Sequence, residues 1–145
     1  MADEPNAVRA LREKLEAYLR ALFGTFRAQE SGAYVVRIGE ADVYVSPQPW
    51  RADSAVVTLL SYSNEEVAVS FQTLALLNQL NLRLTFGNYV LDERTRYVAF
   101  EHALLGDFLD SEELRGAVYA VAGGAMFYAE EIRQAGGGRL WNDEP

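Results

Sequence analysis

His102 stands shortly before Asp107 and Asp110, and together these are the side chains through which an imidazole and two carboxylates could hold a divalent metal. They fall across a loop, however, without the i, i+4 spacing that aims two ligands at one point on a helical zinc site. If side chains alternate along a strand, His102 shares a face with Val98 and Phe100 while Glu101 points the other way, the position of a half-buried, hydrogen-bonded structural histidine. Nucleophilic catalysis fares no better. Ser31, Ser46, Ser54, Ser61, Ser63, Ser70 and Ser111 have only His102 as an imidazole base, and no nucleophile motif surrounds any of them. The acid pairs Glu65-Glu66, Glu112-Glu113 and Glu130-Glu131 lack the apolar setting that raises one carboxylate for general-acid work, and they read as helix-start or solvated charge. With no cysteine and no glycine-rich phosphate loop, the expectation is a noncatalytic chain that needs no metal or cofactor.

Two features point to binding instead. The segment Pro47-Gln48-Pro49-Trp50-Arg51 sets a large aromatic where proline limits flexibility, which lowers the entropy lost on contact. Against this, a loop tryptophan more often folds back as a lid on its own core. Gly116, Ala120 and Gly124, with Ala117 and Ala125 beside them, form a small-residue helical stripe. Glycine inside a helix costs roughly 1 kcal/mol relative to alanine, so close approach of backbone is expected there, first of all to the chain's own sheet.

These groups must be positioned by a chain of 145 residues and 16.2 kDa, of which 50% are hydrophobic and 23% charged, the size and composition of one folded domain. Its apolar runs fall short of the roughly 18 residues that a membrane span needs. The start, Met1-Ala2-Asp3-Glu4-Pro5, is acidic and resembles no secretory signal, so a cytoplasmic location is expected. Twelve arginines against one lysine suggest GC-rich, bacterial coding. The net charge of −8 is concentrated late: residues 101–145 carry nine acids and three bases. Such a surface repels phosphates, which argues against nucleic acid and anionic membrane as partners.

Val8, Leu11, Leu15, Tyr18, Leu19, Leu22 and Phe23 recur at three and four residues, with Phe26 continuing the stripe, so a first helix is expected to start after Pro5 and end near Gln29 to Gly32. Three β segments follow, Ala33–Gly39, Ala41–Ser46 and Ser54–Tyr62, with Pro47 to Asp53 as a loop. Val56 to Leu60 is apolar on both faces. Helices should therefore cover one face, and a second copy, a partner segment or another part of the chain the other. Ser63-Asn64-Glu65-Glu66 has capping-box form and predicts a helix from about Glu65 to Asn81; alternatively Val67 to Val69 prolong the strand and delay the helix to Ser70. Arg83–Leu91 and Tyr97–Ala103 form a hairpin around Asp92 to Thr95, and Asp110-Ser111-Glu112-Glu113 opens a long helix reaching Gly136. The expected order is α-β-β-β-α-β-β-α: an α+β domain over residues 1–138, an antiparallel sheet with helices packed on it, and a loose tail at 139–145, of which Leu140-Trp141 could dock.

With that order, Leu77-Asn78-x-x-Asn81, Phe86-Gly87-x-Tyr89, Asp92, His102-Ala103-Leu104-Leu105 and Leu109-Asp110-x-x-Glu113-Leu114 resemble the YbjN-type domains, which are grouped with type III secretion chaperones as the chaperone-like TY-Chap superfamily. The resemblance is densest over Leu74–Tyr128. It implies a type III secretion chaperone-like fold, a homodimer, and a protein or peptide segment held on the surface, with no cofactor. The corresponding expectations are a partner surface at Tyr44, Trp50 and Tyr62 and a dimer contact at Leu74, Leu76, Leu77 and Leu80. The alternative is a sensory domain binding a small ligand between the sheet and the C-terminal helix.

Overall fold

A computed structural model describes residues 3–143. Helix α1 (Asn6–Phe23) follows Pro5 and buries Val8, Leu11, Leu15 and Leu19, the predicted stripe. It stops earlier than expected. Gly24 takes a left-handed conformation (φ 77°) and its N–H closes onto Arg20 O, a glycine C-cap that turns the chain out of the helix. Phe26, beyond that cap, still packs edge-on against Tyr34 at 5.5 Å.

A two-residue strand not expected from sequence, β1 (Arg27–Ala28), leads to β2 (Tyr34–Ile38), β3 (Ala41–Trp50) and β4 (Ser54–Glu65). The segment expected as a loop at Pro47–Trp50 is the second half of β3, paired with β4 from Tyr44↔Leu60 to Trp50↔Ser54. Proline tolerates this because β2 has left: its last partner on β3 is Val45, so beyond it one side of β3 is open, and a residue without an N–H loses nothing there.

The capping box at Ser63 fails for a reason remote in sequence. Ser63 Oγ donates to Val98 O, and Asn64 Nδ2 donates to Ala129 O at 2.9 Å, so both side chains are committed to the buried interior. The strand therefore continues to Glu65, Glu66 turns through φ 58°, and α2 (Phe71–Arg83) begins where the alternative reading delayed it, with Ser70 Oγ accepting from Thr73 N. Strands β5 (Asn88–Asp92) and β6 (Tyr97–Leu105) make the expected hairpin, though Arg83 to Gly87 are not part of it. Asp110 caps α3 (Ser111–Phe127), its Oδ1 accepting from Glu113 N at 2.8 Å. The single long helix of the sequence reading breaks at Tyr128, and α4 (Ala129–Gly136) turns to sink Ile132 into the core.

The strands run antiparallel in the order β1-β2-β3-β4-β6-β5, and a last short strand, β7 (Arg139–Leu140), pairs with β4. The tail expected to be loose from Arg139 is thus docked over 139–141; residues 144–145 lie outside the described chain. Alternate residues of β3 and β4, Ala41, Val43, Val45 and Ala55, Val57, Leu59, face α1 and α3. Phe100 on β6 meets Tyr89 edge-on at 4.9 Å, and α3 comes so close that a Cβ built on Gly124 would lie 2.5 Å from the Phe100 ring. The small-residue stripe serves this close approach at Gly124, whereas Gly116 has no atom within 4 Å of where a Cβ would stand.

The outer edge of the sheet at β5 is closed by a side chain. Asn81 Oδ1 accepts from Tyr89 N at 2.7 Å and Asn81 Nδ2 donates to Tyr89 O at 3.0 Å, so a carboxamide stands where a neighbouring strand would. Asn81→Ala leaves both groups of a buried residue unpaired, and a loss of about 1–3 kcal/mol is expected in urea unfolding.

Candidate partner-binding face

Cross-strand register sorts the sheet into two faces. One carries the core; on the other, Tyr44, Ser46, Gln48 and Trp50 of β3 lie beside Leu60, Thr58, Val56 and Ser54 of β4, which in turn lie beside Glu101, Ala103 and Leu105 of β6. No helix of the described chain packs on this second face, and Val56, Thr58, Leu60 and Tyr62 are all half-buried among their neighbours. The two-sided apolar pattern of Val56 to Leu60 has this outcome: one side is covered by α1 and α3, the other lies open.

The open face has an aromatic end. Tyr62 stands 6.0 Å from Tyr44 and 5.5 Å from Tyr97, and the Trp141 ring stacks on Tyr62 at 4.5 Å with an interplanar angle of 26°. Burial raises the Tyr62 hydroxyl above its ordinary pKa, and the neighbouring tyrosines add to the shift. Of the three residues expected on a partner surface, Tyr44 and Tyr62 are therefore brought together. Trp50 is not with them. It pairs with Ser54, eight residues down β4 from Tyr62 and roughly 27 Å away at about 3.3 Å per residue.

Trp50 is 39% exposed, lies outside the core cluster and carries the Arg51 guanidinium 4.3 Å over its ring, so it closes no cavity as a lid would. Trp50→Ala is expected to leave the melting temperature within about 2 °C of wild type, as for surface substitutions worth less than about 0.5 kcal/mol. A fall of 5 °C or more in a thermal melt would return Trp50 to the core.

Tyr97 and Trp141 were missed as members of the cluster. Tyr97 has the same alternation as Ala99, the partner of Tyr62, a relation visible only once β6 is registered on β4. Sequence reasoning did note that Leu140-Trp141 could dock.

The four leucines expected at a dimer contact separate. Leu77 and Leu80 are 4% and 1% exposed and belong to the chain's own core, so neither can face a second copy. Leu76 is half-buried, and Leu74 is exposed on the outer side of α2 with Phe71 and Leu82.

On the helical side, a groove of about 380 Å³ runs between β6 and α3, lined by Phe86, His102, Leu104, Gly116, Ala117 and Ala120 with Glu112 and Glu113 at its mouth. This is where a small-ligand pocket between sheet and C-terminal helix would lie. His102 meets Phe86 edge-on with ring centroids 6.0 Å apart, and desolvation holds its pKa below the ordinary 6.5. The unfolded chain therefore binds the proton better than the folded one, and stability should fall as pH drops through 6.5 and below. Carboxylates held low, such as Glu4 beside Arg12, act only near 4.5 and beneath. Urea unfolding at pH 7.5 and pH 5.5 should show this loss in wild type and not in His102→Gln. Among the described residues, no group of three or more His, Cys, Asp or Glu could hold a metal, and no helix is long and apolar enough to cross a membrane.

The model of the family described as "T3SS (YopN, CesT) and YbjN peptide-binding chaperone 1" matches residues 9–144. No curated protein gives a significant match. Among solved structures, a chain of the HopA1-SchA chaperone-effector complex superposes with a TM-score of 0.62 at 16% identity, covering 90% of this chain and 100% of the other. A chain of the ExsC-ExsE complex gives a TM-score of 0.58 at 13% identity, with 89% and 97% covered. At these identities the likeness speaks for a shared α+β fold.

Proposed function

The chain belongs to the TY-Chap1 family of type III secretion and YbjN peptide-binding chaperones, and from that premise we propose that it is a noncatalytic, chaperone-like module that holds an extended segment of a partner protein across the open face of its sheet. The observation that carries this reading is the helix-free strip from Trp50 to Tyr62, where Val56, Leu60 and the aromatic rings stand among small polar side chains, in a domain whose helices pack on the other side. A strip of roughly 27 Å matches an extended segment of about eight residues. Tyrosine and tryptophan provide large contact area with few rotamers to freeze, which suits them to both ends of such a strip.

The mode of contact is shaped by two guarded stretches of sheet edge. Asn81 occupies the edge of β5, and Pro47 and Pro49 remove two donors from the open side of β3, so addition of a strand at those edges is disfavoured. Side-chain contact on the face is then the main mode, with backbone pairing left to the end of β4 where β7 docks. We place the protein in the cytoplasm and pair it as a homodimer through the outer side of α2, where Phe71, Leu74 and Leu82 are exposed. Light scattering that gives about 16 kDa at every point of a dilution series would remove the dimer.

Native mass spectrometry of purified protein, followed by hydroxyl-radical footprinting of the complex, tests the central claim. A bound polypeptide that protects Tyr44, Leu60 and Tyr62 supports it; a bound small molecule that protects Phe86 and Leu104 instead would replace it with the sensory reading.

A further inference from the structure

At the aromatic end of the open face the chain already holds a short segment of itself. Strand β3 pairs with β4 only as far as Leu60, and the side of β4 that it abandons is taken by β7: Asn64 pairs with Leu140, Glu65 with Arg139, and Trp141 N donates to Ser63 O at 2.9 Å. Three side-chain contacts accompany the ladder. Arg139 forms an ion pair with Glu65, Trp141 stacks on Tyr62, and the Trp141 ring meets Tyr97 edge-on at 5.0 Å. The segment is short and preceded by Gly137 and Gly138, both at positive φ, and only two of its residues are in register as strand. The basic residue is thus seated on an acidic carboxylate, the backbone on an open stretch of β4, and the aromatic on a tyrosine cluster.

We propose that this slot is a recognition site for a basic–apolar–aromatic tripeptide, and that Arg139-Leu140-Trp141 is an internal stand-in which the partner's own tripeptide displaces. The inference rests on reading the open face as the partner surface, and it identifies what the partner brings to one end of it. Glu65 selects the basic position, the gap beside Ser63 and Asn64 accepts the extended backbone, and Tyr62 with Tyr97 takes the aromatic ring. A tethered segment competes at an effective concentration near millimolar, so a partner tripeptide binds the wild-type chain weakly unless the rest of the face contributes.

The test uses the full chain and a heptapeptide that copies residues 137–143, Gly-Gly-Arg-Leu-Trp-Asn-Asp. In titrations followed by NMR, Trp141→Ala is expected to bind it at least tenfold tighter than wild type, because the stand-in no longer fills the tyrosine cluster. In wild type, saturating heptapeptide should shift the Trp141 indole N–H resonance toward its free position. Peptides with Glu for Arg, or Ala for Trp, should each bind Trp141→Ala at least tenfold more weakly. Arg139→Glu, which sets like charge against Glu65 and leaves the slot intact, serves as the second variant, with the same gain expected. Equal affinity of wild type and both variants would overturn the proposal, as would equal binding of the charge-reversed peptide. So would a change in oligomeric state of Trp141→Ala without peptide binding, since the segment would then be exchanged between copies. If the heptapeptide fails while footprinting still finds a polypeptide on Tyr44 and Leu60, only the tripeptide site falls and the partner face stands.

Discussion

Phe100→Ala is expected to lower the unfolding free energy by about 3–5 kcal/mol, the range for truncating a fully buried phenylalanine. Phe100 is 1% exposed and is held by the Tyr89 ring and the backbone of Gly124. Two elements far apart in sequence, the β5–β6 hairpin and α3, meet on this ring. The cavity cannot be refilled by a neighbour, because Gly124 has no side chain to move in and Tyr89 is fixed by its hydroxyl donating to Gly124 O. In a domain whose whole stability is of order 5–15 kcal/mol, such a loss should lower the melting point by roughly 10 °C or more. A shift under 3 °C in calorimetry would show that the hairpin and α3 are braced elsewhere.

Leu60→Lys is expected to abolish most partner binding while the domain stays folded. Leu60 lies on the open strip beside Tyr44 and two residues from Tyr62, and is directly opposite Glu101 on β6. A lysine there places a hydrated charge under the bound segment, yet gains a cross-strand partner that offsets the loss of apolar contact within the sheet. Interface anchors near the centre of a contact are commonly worth about 2 kcal/mol or more, so capture should weaken more than tenfold, since about 1.4 kcal/mol is a factor of ten. The decisive measurement is affinity for the copurified polypeptide beside a thermal melt of the same variant. Undiminished affinity with an unchanged melt moves the binding surface off this face.

Elements whose signals are local were legible in the sequence. The α1 stripe, the hairpin around Asp92 to Thr95 and the Asp110 cap each depend on residues within a few positions of one another. The errors share a different cause. Ser63 and Asn64 look like a helix start until β6 and α4 are present to take their hydrogen bonds. Gly24 was a visible stop, but the continued spacing to Phe26 masked it; that ring is recruited by Tyr34 across a turn, not by the helix. The candidate surface was half legible for the same reason. Tyr44 and Tyr62 could be chosen from strand alternation, whereas Tyr97 and Trp141 join them only through cross-strand register and the docking of β7. Leu77 and Leu80 share the apolar character of Leu74, and only the packing of α2 tells inner from outer positions.

The carboxamide of Asn81 against Tyr89 bears on how such a protein survives its own work. A protein that keeps an adhesive, apolar surface open at high local concentration is exposed to fibril growth, in which each chain recruits the next through unpaired backbone at a sheet margin. With Asn81 satisfying Tyr89 on one flank and Pro47 and Pro49 removing donors from β3 on the other, these two stretches of margin are poor templates for a further copy. Stickiness and self-templating are separate properties here, and a single amide group keeps them apart along β5.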